Sequence, residues 1–185
     1  MSDTNTSYKK HGSRHKARRR AVDILFEAEF RDIDPVDIME ERIELSQDQA
    51  NQVKPVPDYT QQIVPGVAEK LDEIDEAIAR NLSSEWRLER LPAVDRAVLR
   101  VAAWELLYNE SVDNPVAMTQ GIELAATYSH DAAPSYIHAV LDGINREVDL
   151  RIADAAEKSR ESGAANAAQD DDLDSLLDNV VAEQD

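Results

Sequence analysis

Apolar residues recur along this chain every three to four positions, and sustained apolar/polar alternation is absent, so the pattern reads as helix from end to end of the folded part. A first helix is predicted from about His15 to Arg31, with Ala17, Ala21, Leu25 and Ala28 as its inner stripe. Asp34-Pro35 is a start signal: a capping carboxylate followed by a proline whose missing N–H costs nothing in the first turn. That second helix runs to about Ala50 and buries Ile38, Met39 and Ile43; the stretch QVKPVPD then holds the chain extended. Asp58 is expected to cap a third helix carrying Ile63, Val67, Leu71, Ile74 and Ile78, with a kink or break near Pro65. Ser84 starts a short turn with Trp86 and Leu88, and Pro92 opens the most apolar helix, Pro92 to Tyr108, expected to be enclosed on most sides. Helices from about Thr119 to Tyr128 and from Pro134 to about Arg146 or beyond complete an all-α fold of about seven helices without internal repeat.

The ends differ from this middle. Residues 1–13 are polar, aperiodic and read as a disordered basic head; residues 14–157 form the helical domain; residues 158–185 read as a disordered acidic tail. Leu173, Leu176, Leu177 and Val180 lie at helical spacing in that tail and also admit a transient amphipathic helix.

Composition narrows the chemistry. The 185 residues contain no cysteine, which removes disulfide scaffolds, thiolate zinc sites and cysteine nucleophiles together. No apolar run is long enough to span a bilayer and no signal-peptide core opens the chain, so no membrane role and a cytoplasmic location are expected. Glycines are too sparse for a phosphate-cradling loop. His11 and His15 have a metal-ligand spacing but sit among cations that repel a metal ion, and Asp170-Asp171-Asp172 lies in the tail, where no fixed acid/base geometry is available. Neither an enzyme nor a cofactor or metal site is expected.

The net charge of −18 is unevenly spread. Residues 1–20 carry seven Lys and Arg against Asp3 alone, a net +6; residues 154–185 carry −8, and the body between them −16. Arg14-His15-Lys16-Ala17-Arg18-Arg19-Arg20 opens the first helix, where the macrodipole disfavours each cation by about 0.3–1 kcal/mol. Cations placed against that field point to an anionic partner, and phosphate is the natural one. Part of the cluster also pairs on its own helix, since Arg19 and Arg20 lie at helical spacing from Asp23. An acidic body confines nucleic acid to this head and its surroundings, and nearby aromatics would suit unpaired bases. The candidates are Tyr8, Tyr136, Phe26 and Phe30, the two Phe reading as core.

Three blocks together resemble the NusB family of bacterial transcription antitermination factors: RHKARRRAVDILFEAEF at 14–30, LPAVDRAVLRVAAWEL at 91–106, and IELAATYS followed by YIHAVLDGI at 122–144. The similarity spans roughly residues 14–150. It implies two small helical bundles packed together, no catalysis, and binding of single-stranded BoxA-type RNA of ribosomal RNA transcripts jointly with the ribosomal protein NusE, within the RNA polymerase antitermination complex. It places RNA contacts at Arg14, Lys16, Arg18, Arg19, Arg20 and Tyr136, and a partner contact at Asp95. The chain departs from the family pattern at Pro65, Thr119-Gln120-Gly121, Ala126, Ala132, Ala133 and His138-Ala139; Gly121 is expected to weaken the first turn of its helix.

A helical protein–protein adaptor with no direct RNA contact is the alternative from a different class. Monomer and homodimer are both open: Trp86 and Trp104 could serve an interface, although each reads first as core.

Overall fold

A computed structural model describes residues 12–182, with side chains to Glu161. The chain divides into two compact units, Met1–Asn145 and Arg146–Asp185. Seven α-helices occur among the described residues and no strand: α1 (Ser13–Arg31), α2 (Pro35–Ser46), α3 (Asp58–Glu69), α4 (Leu71–Asn81), α5 (Ala93–Tyr108), α6 (Asn114–Tyr128) and α7 (Ala133–Ala182). Short 3-10 turns at Gln49–Asn51 and Leu88–Arg90 punctuate the connections.

In the first unit α1, α2 and α3 pack on one another as one small bundle, and α5 packs against α4 and α6 in the other while also touching α1 and α3. The core is continuous across both. Helix α5 is its axis: from Ala97 to Leu106 every residue but Arg100 is buried. Trp104 belongs to this core, as its pattern indicates.

Local signals explain most of the ends. Asp34 Oδ1 accepts from Val36 N–H at 2.8 Å with Pro35 inside the first turn of α2, and Asp32 in the left-handed region (φ 53°) turns the chain between α1 and α2. Four expectations need correction. The helix expected from Asp58 to Ile78 is two helices meeting at Lys70, five residues beyond Pro65, and that bend lets Ile63 and Val67 of α3 and Ile74 and Ile78 of α4 all be buried. Asp58 is the first residue of α3 and makes no capping bond; Pro57 holds the cap position. Helix α6 starts at Asn114 instead of Thr119, with Pro115 in its first turn as Pro35 is in α2, although Asp113 at the cap position makes no side-chain capping bond. Thr119 lies inside the helix and donates its hydroxyl back to Pro115 O at 2.8 Å. Gly121 accordingly weakens no first turn: a Cβ there would stand 2.9 Å from Leu141 Cδ1 and 3.0 Å from Ala102 Cβ, so its missing side chain is what lets α6 approach its neighbours.

The second unit is helical through Ala182, over the stretch that composition reads as a structureless tail. Its alanine-rich sequence has high intrinsic helix propensity, and Arg151 pairs with Glu147 one turn back. Every side chain from Asp149 to Glu161 is exposed, so this helix is solvated as the composition demands.

Two arginine–carboxylate clasps fasten the surface of the first unit. Arg96 and Arg100 both bind Glu29, and Arg100 also binds Asp75 through two 2.8 Å bonds. Arg31 and Arg42 converge on Glu27. The bond from Arg96 holds the Glu29 carboxyl below its ordinary value of 4.5, against its partial burial; burial also pushes Glu27 up, but Arg31 and Arg42 outweigh it. A depressed carboxyl pKa contributes stability that is complete above about pH 4.5 and lost as pH falls through the lower folded value. Thermal midpoints are therefore expected to decline below about pH 4.5, and Glu29→Gln should make that decline shallower.

Candidate nucleic-acid interface

Contacts fix the directions of the helices around the basic segment. His15 and Arg18 of α1 meet Gln120 of α6, and Asp23 meets Tyr128, so α1 and α6 run the same way. Arg18 meets Glu105 while Glu29 meets Arg96 and Arg100, so α5 runs opposite to them.

Among the residues expected to contact RNA, this arrangement separates one from the rest. Arg14, Lys16 and Arg19 are exposed and Arg20 is half-buried, but Arg18 is only 3% exposed and points inward. Its Nε donates to both oxygens of Glu105 at 2.8 and 3.0 Å, and its Nη1 to Gln120 Oε1 at 3.4 Å. Tyr59 donates its hydroxyl to Glu105 and accepts from Asn109 at 3.0 Å. Burial and the bond to Glu105 push the Tyr59 phenol well above its ordinary value, so it stays a donor at neutral pH. Arg18 is thus a core cation holding α1 to α5, which corrects its assignment to the RNA face. Arg14, also over the Tyr59 ring at 5.0 Å, instead reaches Ser111 O at the surface. His15 is buried and donates from Nδ1 to Gln120 at 2.7 Å; its expected companion His11 lies outside the described residues.

Arg19 stands at the outer face of α1. Its guanidinium lies 5.7 Å from the centre of the Tyr128 ring, its Nε donates to the Tyr128 oxygen at 3.5 Å, and that hydroxyl donates to Asp23 at 2.8 Å. The Tyr128 bond raises the Arg19 pKa further, so the charge is permanent. The reading of Arg19 and Asp23 as a paired face therefore holds in modified form, with a tyrosine between them.

Tyr136 opens α7 and lies beside the other end of α5. Its hydroxyl donates to Asp95, and its ring stacks on Trp86 with centroids 6.0 Å apart and planes 17° apart. His130 faces the same ring at 6.4 Å. Asp95 and Glu105 mark the two sites on α5 and are ten residues apart, about 15 Å at 1.5 Å per residue. Arg18 and Tyr136 therefore belong to opposite ends of the helix. Tyr128, which meets Arg19 of the basic end, and His130, which faces Tyr136, are two residues apart in sequence.

Asp95 is fully buried, so it offers no surface to a partner, which corrects its expected role there. Trp86 is 52% exposed, and Phe26 and Phe30 are 42% and 84% exposed, so all three leave the core to which the sequence assigns them. Phe26 and Phe30 fall in register with Lys16, Arg19 and Asp23, the solvent face of α1. Tyr8 lies outside the described residues. Among the described residues no group of three His, Asp or Glu side chains is arranged to hold a metal ion, and no helix is long and apolar enough to cross a membrane.

The model of the NusB family matches residues 15–146. The chain is 67% identical over 185 residues to the transcription antitermination protein NusB of Corynebacterium jeikeium, covering 97% of this chain and 92% of that protein. It is 54% identical over 147 residues to its counterpart from Corynebacterium diphtheriae, covering 80% and 81%. Among solved structures, T. maritima NusB superposes with a TM-score of 0.63 at 32% identity, over 74% of this chain and 92% of that one. The crystal structure of antitermination factors NusB and NusE in complex with double-stranded RNA superposes at 0.59 and 24% identity, over 72% and 96%, a likeness of fold. With its two-bundle helical architecture and a family match over most of its length, the chain belongs to the NusB family.

Proposed function

We propose that this chain is a cytoplasmic, non-catalytic transcription antitermination factor. It binds single-stranded BoxA-type RNA of ribosomal RNA transcripts together with the ribosomal protein NusE, as part of the RNA polymerase antitermination complex. The observation that carries the reading is the outward basic end of α1, where Arg14, Lys16, Arg19 and Arg20 remain at the surface after Arg18 is withdrawn into the core. The aromatic series that begins at Tyr128 favours a single strand, because only unpaired bases can lie flat on side-chain rings. The relatives named antitermination proteins agree with this reading, and a protein of the same fold has been solved with NusE and double-stranded RNA. The acidic body repels RNA and attracts a basic ribosomal protein, which steers assembly of the three-part complex.

A labelled BoxA-like oligonucleotide is expected to bind weakly to the chain alone and more tightly with NusE present. Equal affinity in both titrations would remove the cooperative part of the proposal. If the four outward cations each meet a phosphate, log affinity falls with log salt at a slope of about −3. Replacing Lys16, Arg19 and Arg20 with Ala should reduce that slope to about −1, because only Arg14 remains. An unchanged slope in the triple variant would take the basic head out of the site.

A further inference from the structure

The connection between α4 and α5 exposes a tryptophan in an ordered place. Trp86 N–H donates to Ser83 O at 2.9 Å, closing a turn, and the indole is left 52% exposed. Its ring is offset-stacked on Tyr136, within the separation usual for aromatic pairs. Tyr136 is itself tethered. Its hydroxyl donates to Asp95, which lies fully buried in the first turn of α5, where the free helix N–H groups favour a carboxylate. Asp95 Oδ1 has no hydrogen-bond partner, so the tyrosine supplies the bond that this carboxylate accepts through its other oxygen, with His130 Nε2 further off at 4.0 Å.

We infer that Trp86 and Tyr136 together form a stacking platform for one unpaired RNA base, and that Asp95 is the positioning residue that keeps the Tyr136 ring stacked nearly parallel to the indole. The inference rests on the RNA-binding reading above and adds Trp86 and Asp95 to it. Three observations select a base as the occupant. The two planes differ by only 17°, so the rings lie nearly parallel and the half-exposed indole extends the stack with a flat face, the shape of a base and not of an aliphatic side chain. The loop's Arg87 and Arg90 are matched by Glu85 and Glu89, so no net charge draws an ionic partner to this spot. Arg19 of the basic head lies over Tyr128, and His130, two residues further along the chain, faces Tyr136, which places the platform next to the segment that meets the basic head.

The test separates stacking from charge. A labelled BoxA-like single strand is titrated into the full chain with NusE at about 50 and 200 mM salt. Trp86→Ala is expected to weaken binding roughly five- to hundredfold at both salt concentrations, with the salt slope of the wild type. Trp86 is largely exposed, so this variant keeps the core intact. RNA should also quench tryptophan emission in the wild type and fail to do so in Trp86→Phe, which leaves only the buried Trp104. For the tether, Tyr136→Phe keeps the ring and removes the donor; it should weaken binding, and adding Asp95→Asn should weaken it no further. If Trp86→Ala binds as the wild type while the Lys16, Arg19 and Arg20 variant flattens the slope, the platform is refuted and the RNA reading stands. If neither variant alters binding, both fall. Wild-type affinity for Tyr136→Phe would refute the positioning role of Asp95 alone.

Discussion

Arg18→Ala is expected to cost about 3–5 kcal/mol of folding stability, because it leaves the Glu105 carboxylate buried without its countercharge. Glu105 is 1% exposed and would keep only the Tyr59 hydroxyl as a donor. A domain of this kind holds about 5–15 kcal/mol in total, so the loss is a large share. Thermal denaturation should show the midpoint falling by roughly 10 °C. The double variant Arg18→Met/Glu105→Leu should recover much of that loss, since an apolar pair of similar volume avoids the desolvation of both charges. A midpoint for Arg18→Ala within a degree or so of wild type would show that the pair contributes nothing. The experiment has a practical consequence for the RNA site. An alanine scan across the arginine-rich segment would register Arg18 as the most sensitive position, and the cause would be unfolding.

The second large effect is expected at Gly66. In an exposed helix interior, Gly→Ala would stabilise by about 0.5–1 kcal/mol through the backbone entropy that glycine loses on folding. Here the sign reverses. A Cβ at Gly66 would lie 2.3 Å from Trp104 Nε1, 2.5 Å from Cε2 and 2.7 Å from Cζ2, and the indole is a rigid ring in the core. Neither α3 nor the ring can yield without disturbing neighbours, so Gly66→Ala should destabilise by about 1–3 kcal/mol, read as a lower midpoint in urea. A more stable Gly66→Ala would mean that α3 can shift freely against α5, against the close approach seen here.

The two outcomes have a common origin in what a sequence pattern can carry. The helices were legible because their determinants lie within a few residues: Asp34-Pro35 starts α2 by a local bond, and the nearly unbroken apolar run of α5 announces its burial. The same local rule contained signals that residue type obscured. Arg18 stands at helical spacing from Ala21, Val22 and Leu25 and so falls on the buried face of α1, yet its charge marks it as a surface residue. Phe26 and Phe30 fall in the register of Lys16, Arg19 and Asp23 and so face solvent, yet their apolar rings suggest the core. In each case periodicity was the better guide than hydrophobicity.

By itself, then, the sequence determined the all-helical class, most helix starts, the central position of α5, the concentration of positive charge at the head of α1 and, through its three blocks, the family. Those properties depend on contacts between residues one or two turns apart, or on simple accumulation of charge. Only the tertiary structure decided which members of the basic segment face outward, because Glu105, the partner that withdraws Arg18, is 87 residues away in the chain. It likewise decided that Asp95 serves the interior by holding Tyr136, 41 residues on, and that Trp86 meets the same ring at the surface. A side chain's charge and shape are written locally, but its partner is chosen by the packing of distant helices, and the partner determines whether that charge or ring is left at the surface.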